Sequence, residues 1–92
     1  MSRTPSFTGQ FRRDVKLMKK RGREVSALET VLGLLIDGEQ LPARYRDHSL
    51  SGNWIRHREC HIEPDWLLIY RIFEGDASIC FERTGTHSDL FR

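Results

Sequence analysis

His57, Glu59, Cys60, His61 and Asp65 fall within nine residues at the start of "HRECHIEPDWLLIY", residues 57 to 70, which then turns almost wholly apolar. Three chemistries could use such a group. His57, Cys60 and His61, with His48 or His87 brought in by the fold, have the donor types that suit zinc. A structural zinc site is usually built from two short-spaced ligand pairs, however, and the chain has no CxxC, so no metal centre is expected. A cysteine nucleophile fits less well. Cys60 and His61 are adjacent in an extended segment and point to opposite faces, so His61 is badly placed to act as the base for the thiol.

Acid-base chemistry on a phosphodiester fits the residues better. Cleaving RNA through its own 2'-hydroxyl needs a base for that proton, an acid for the departing 5'-oxygen, and a cation for the charged phosphorane. It needs neither a metal nor an enzyme nucleophile. His48, His61, Asp65 and His87 are the candidates for proton transfer, and Arg83 or Arg46 for the charge. Histidine suits the task because its ordinary pKa of about 6.5 keeps both protonation states accessible near neutrality. The competing reading is plainer: Asp65 only stabilises its turn, and His87 only caps a tail.

The elements that must position these groups follow from periodicity. Thr8 is an acceptable N-cap, and Phe11, Val15 and Met18 then recur at helical spacing until Gly22. Val25, Leu28, Val31, Leu32 and Leu35 predict a second helix that stops at Gly38, and the short connection favours a helical hairpin. "EQLPARYRDHSLSGN" has no sustained period and reads as a loop carrying Tyr45, Arg46, Asp47 and His48 to the surface. From Trp54 the period becomes two. Trp54 to Ile62, Trp66 to Phe73 and Ala77 to Thr84 predict three strands in an antiparallel meander, with residues 3 to 7 as a possible edge strand. In the first of them Glu59 and His61 share a face, while Cys60 could meet Cys80 from a neighbouring strand. The fold class is α+β: a helical hairpin packed on a small antiparallel β-sheet, in a single domain spanning residues 1 to 92.

Charge is distributed unevenly. Residues 1 to 23 hold eight Lys or Arg against Asp14 alone, a net +7, leaving −5 on the other 69 residues. Arg12, Arg13, Lys16, Lys19, Lys20 and Arg21 make the first helix broadly basic, either as a solvated face or as a surface for phosphates or an acidic partner. No apolar stretch reaches the length of a membrane span and no signal peptide is readable, so a cytoplasmic location with reduced cysteines is expected.

Three stretches, "YRDHSLSGNW", "RECHIEPDWLLIYRI" and "FERTGTHSDLF", together resemble the YafQ-type toxins of the RelE/ParE superfamily, the toxic halves of bacterial type II toxin-antitoxin pairs. The resemblance covers nearly the whole chain and implies a RelE-like microbial RNase fold. It further implies a ribosome-dependent mRNA interferase, which cuts the codon in the ribosomal A site and leaves a 2',3'-cyclic phosphate and a 5'-hydroxyl. By its motifs the resemblance places His48, His61, Asp65 and His87 in the active site. Phe91 then matches an aromatic that holds the substrate base, and Arg83 is a candidate for stabilising the phosphate. The partners implied are a cognate antitoxin, the ribosome with its mRNA, and operator DNA reached only through the antitoxin complex; no cofactor and no membrane are implied. Since the superfamily also contains gyrase poisons, a gyrase-inhibiting toxin and a non-catalytic RNA-binding module are the rival readings.

Overall fold

A computed structural model describes residues 2–91. The chain runs through β1 (Thr4–Phe7), α1 (Gly9–Lys20), α2 (Val25–Ile36), β2 (His48–Ser49), β3 (Arg58–Glu63), β4 (Trp66–Phe73), β5 (Ser78–Gly85) and α3 (His87–Leu90). Short 3-10 turns at Ala43–Tyr45, Gly52–Trp54 and Glu74–Asp76 complete it.

Both long helices form where the periodicity places them. The Thr8 side chain accepts the Phe11 N–H and caps α1, while Gly22, at φ 86°, takes the left-handed turn that ends it. Phe11, Met18, Leu28, Val31 and Leu35 are buried against one face of the sheet, where they meet Cys60, Trp66, Leu68, Tyr70, Ile79 and Phe81. Along the same α1 stripe the sequence hides a charge. Asp14 lies one turn after Phe11, is buried, and accepts hydrogen bonds from Gln10 Nε2 (2.9 Å), Arg83 Nε (2.7 Å) and the Thr84 N–H (3.1 Å). Truncating Asp14 to Ala would strand these donors at a cost of about 3–5 kcal/mol.

The sheet is mixed rather than antiparallel throughout. Its order is β1-β5-β4-β3-β2, with β1 parallel to β5 and every other pairing antiparallel. The expected edge strand therefore exists, and Pro5 is tolerated there because an edge strand can spare an N–H. Its direction is set by the two helices that must cross over before the chain returns to the sheet. The strand expected from Trp54 instead begins at Arg58, because Gly52–Trp54 coils into a 3-10 turn and Arg56 adopts a left-handed φ of 71°. Cys60 and Cys80 do not meet: they sit on β3 and β5 with β4 between them, and their partners on β4, Leu68 and Arg71, point to opposite faces.

Trp66 to Tyr70 are all at most 1% exposed, which explains the unbroken apolar run of β4. It is covered on both faces. The helices cover one, and Leu90 of α3 with Leu50 and Trp54 of the long loop packs on Leu67 and Ile69 of the other. Trp66 Nε1 donates to Thr84 Oγ1 (2.8 Å), which donates onward to the Leu67 carbonyl (2.7 Å), locking β4 to β5 at the end nearest α3.

Candidate active site

Three imidazoles line up on the sheet face away from α1 and α2. The ring centroids of His48 and His61 lie 6.4 Å apart, those of His61 and His87 5.8 Å, and those of His87 and Phe91 6.5 Å. Three different elements bring them together. His61 stands on β3 where the pairing with β4 slips between His61 and Glu63, a bulge that re-aims the side chain at the mouth of the buried strand. His48 comes from β2, whose two residues pair with Glu59 and Arg58. His87 opens α3 immediately after β5.

The Nδ1 atoms of all three rings face acceptors within the protein. His48 Nδ1 lies 2.8 Å from the Arg46 carbonyl, His61 Nδ1 3.4 Å from the Pro64 carbonyl, and His87 Nδ1 2.8 Å from Asp65 Oδ1. A carbonyl oxygen or carboxylate can only accept, so each of these contacts forms when the ring carries a hydrogen on Nδ1.

Two carboxylates serve the row, and sequence reasoning weighted them unequally. Asp65 Oδ1 accepts from both Nδ1 and the backbone N–H of His87 (3.1 Å), so it orients His87 rather than standing beside His61. Those two bonds, the side-chain one foremost, pull the Asp65 carboxyl below its ordinary range. Glu59 was legible only as a residue sharing the His61 face. In the fold it is 5% exposed, with Oε1 3.5 Å from His48 Nε2 and 3.6 Å from His61 Nε2. The signal for half of this arrangement was the period-two spacing of Glu59 and His61; its His48 half depends on a cross-strand pairing.

The surrounding residues fix these positions. Asp47, next to His48, accepts from the Tyr70 hydroxyl and is forked by Arg58 Nε (3.3 Å) and NH2 (3.2 Å). Tyr45, expected at the surface, is 8% exposed and anchors the same loop in the core. At the other end, Asp89 closes a capping box with Thr86 and accepts a bidentate pair from Arg21 (2.7 and 3.2 Å). This fork, then the Thr86 N–H, drives the Asp89 carboxyl far below its usual value. A Cβ on Gly85 would stand 3.0 Å from Asp89, so the glycine of "TGT" lets α3 fold back tightly on β5.

Two expected binding cations are therefore otherwise engaged. Arg21 holds α3 instead of belonging to the free basic face, and Arg83 closes its guanidinium on Asp14 rather than on the imidazole row. Arg12, Arg13, Lys16, Lys19 and Lys20 remain exposed on α1. Phe91 is 41% exposed beside His87. His57, four residues before His61, turns instead to Glu82 (3.4 Å). The Cys60 thiol is raised well above its usual pKa by burial and by the charges of Asp47 and Glu59, which makes it inert as a nucleophile. Among the described residues, no group of three or more His, Cys, Asp or Glu side chains is set to hold a metal ion. No helix among them is long and apolar enough to cross a membrane.

A helical pair on a five-stranded mixed sheet matches the solved structures of YafQ and of RelE-like toxins. The family model described as bacterial toxin of type II toxin-antitoxin system, YafQ, matches residues 3–92, and the chain belongs to that family. It is 45% identical over 92 residues to the mRNA interferase toxin YafQ of Escherichia coli K12, covering 99% of this chain and 98% of that one. The toxin in the crystal structure of the E. coli DinJ-YafQ toxin-antitoxin complex superposes with a TM-score of 0.90 at 44% identity, covering 100% of both chains. A metal-bound toxin from Helicobacter pylori superposes at 0.89 with 36% identity, covering 99% of this chain and 100% of that one.

Proposed function

We propose that this toxin is a ribosome-dependent endoribonuclease that cuts mRNA in the ribosomal A site without a metal and thereby stops translation. The observation that carries the reading is the row of three imidazoles, each with Nδ1 facing an acceptor, beside the carboxylates of Glu59 and Asp65. The E. coli relative that is named an mRNA interferase supports it.

In this reading His61 Nε2 takes the proton of the 2'-hydroxyl, with the Glu59 carboxylate at hand to balance the imidazolium that forms. The 2'-oxygen attacks phosphorus, and the P–O5' bond breaks. His87 supplies the proton to O5' from Nε2, its other nitrogen being held by Asp65 Oδ1 at 2.8 Å. The products are a 2',3'-cyclic phosphate and a 5'-hydroxyl. An in-line displacement needs acid and base on opposite sides of one phosphate, and His61 and His87 are neighbouring rings brought together from different elements. His48 stands beside His61 as a further hydrogen-bonding group for the phosphorane, and Phe91 offers a face for stacking a base. Arg12, Arg13, Lys16, Lys19 and Lys20 form the surface for ribosomal RNA. A cognate antitoxin, acidic where it meets that surface, would silence the toxin in the cytoplasm, and the complex would reach operator DNA through the antitoxin.

Primer extension on one mRNA, translated and untranslated, tests the proposal. Cleavage within codons of the translated copy alone, unaffected by EDTA, is the expected result. Intact transcripts during growth arrest, with replication blocked first, would instead establish a gyrase poison. Toxicity that survives His87→Ala would establish a non-catalytic RNA-binding module.

A further inference from the structure

A cavity of about 380 Å³ opens beside the imidazole row, between the turn that carries Arg44, Tyr45 and Arg46 and the segment from His61 to Pro64. Its volume falls in the range of small-ligand sites. Two of its lining cations, Arg44 and Arg46, form no ion pair among the described residues, whereas its carboxylate, Glu63, is already matched by Arg23 at 2.6 Å. The cavity is therefore electropositive in effect, although it contains an acid.

Its cations are also held in place. The Arg44 guanidinium lies 4.8 Å from the centroid of the Tyr45 ring and donates from NH2 to the Tyr45 hydroxyl (2.9 Å), while the ring itself is buried. This leaves Arg44 with free donors on a fixed platform. Arg46 adopts a left-handed backbone, φ 52°, a conformation that costs an ordinary side chain about 1–2 kcal/mol. The same residue's carbonyl lies 2.8 Å from His48 Nδ1, so the turn that places the guanidinium also orients the His48 ring. Strain kept at such a point suits a functional position.

We propose that this cavity is an anion subsite for the RNA phosphate immediately 5' of the nucleotide whose 2'-hydroxyl is activated, with Arg44 and Arg46 as its ligands. The inference rests on the ribonuclease reading above, which makes His61 the base and His87 the acid. His61 lines the cavity and His87 does not. The base acts on the nucleotide 5' of the scissile bond, so a cation pocket adjoining the base alone belongs to the 5' side. Arg44 thereby becomes a substrate-positioning residue, and the subsite recognises backbone rather than sequence.

The test uses dinucleotides whose first residue is 2'-deoxy, which cannot be cleaved, titrated into the intact protein at low salt and followed by NMR. Three forms are compared: without terminal phosphate, with a 5'-phosphate, and with a 3'-phosphate. The expected result is that the 5'-phosphate tightens binding about tenfold, in line with a charge-assisted contact. Arg44→Ala should lose most of that gain, Arg44→Lys should keep part of it, and the 3'-phosphate should add no comparable gain. The salt slope of the 5'-phosphorylated ligand should fall by about 0.7 for each phosphate contact removed. Equal gains from the two phosphates, an unchanged gain in Arg44→Ala, or no resonance shift at Arg44, Arg46 and His61 would each overturn the subsite. Failure of the ribonuclease reading shows separately, as uncut translated mRNA, because these titrations require no cleavage.

Discussion

The two ends of the imidazole row are supported in opposite ways. At the β3 end, Glu59 is buried on a central part of the sheet and stands beside two rings, His48 and His61. At the α3 end, the Asp65 side chain is 59% exposed and serves one ring, His87, itself 56% exposed. The short helix beneath His87 is moored by the Arg21 fork on Asp89, again near solvent. One end relies on packing, which salt does not screen. The other relies on ion pairs and a capping box, which salt and acid weaken. Under the proposed mechanism this division would hold the base by packing and the acid by ion pairs near solvent.

Substitutions can break this contrast in order of size. His87→Ala should have the largest effect, lowering single-turnover cleavage on programmed ribosomes by about 10²- to 10⁴-fold, the usual worth of a positioned acid. Activity within a few-fold of wild type would remove His87 from the chemistry.

Glu59→Gln should come next, at about tenfold, because it removes the buried charge that faces Nε2 of both His48 and His61. Asp65→Asn should cost less in the same assay, since the amide oxygen can still accept from Nδ1. If Asp65→Asn proved the more damaging of the two, Asp65 would be acting directly on substrate rather than through His87.

Arg21→Ala should have a smaller effect, about threefold on cleavage, and should make the remaining activity less sensitive to salt because the screened clamp is already gone. A salt response identical to wild type would show that the Arg21–Asp89 clamp does not set the salt sensitivity of this end of the row.

Acid gives the mildest perturbation. The folded-state pKa of Asp89 is depressed, so its contribution is present above the ordinary carboxylate value of about 3.9 and is lost only as pH falls through the lower folded value. The side-chain carboxyl resonance of Asp89 should therefore hold steady down to about pH 4 and change only below it. Removing Arg21, the largest cause of the depression, should move that release to higher pH.

Much of the fold was readable because local patterns and burial agreed. The α1 and α2 stripes, the Thr8 cap, the glycine stops, the turns around Pro64 and Gly75, and the run "WLLIY" each state their structure in the chain. Misreadings arose where a residue's role depended on a distant partner. Asp14 looked like part of a basic surface until Arg83 and Thr84 were brought to it. Trp54 to His57 alternated like a strand yet coil, because Trp54 packs against the second core over Leu67 and Ile69. Asp89 did carry a local sign, since "THSD" has the spacing of a capping box, but its pairing with Arg21 spans 68 residues.

What the sequence by itself determined was the α+β class and most of the elements; residue type nominated His48, His61, Asp65 and His87 for one candidate site, and the resemblance of the motifs added Phe91. Residue type carries that much, since it limits which groups can exchange protons and which turns can present them. The tertiary structure decided the rest: the parallel docking of β1, the withdrawal of Arg21 and Arg83 into ion pairs, the pairing of Asp65 with His87, and the entry of Glu59 between two imidazoles. These depend on strand register and on contacts across tens of residues. A carboxylate's role is set by the charge and hydrogen a few ångströms away, and chain distance does not encode that neighbour.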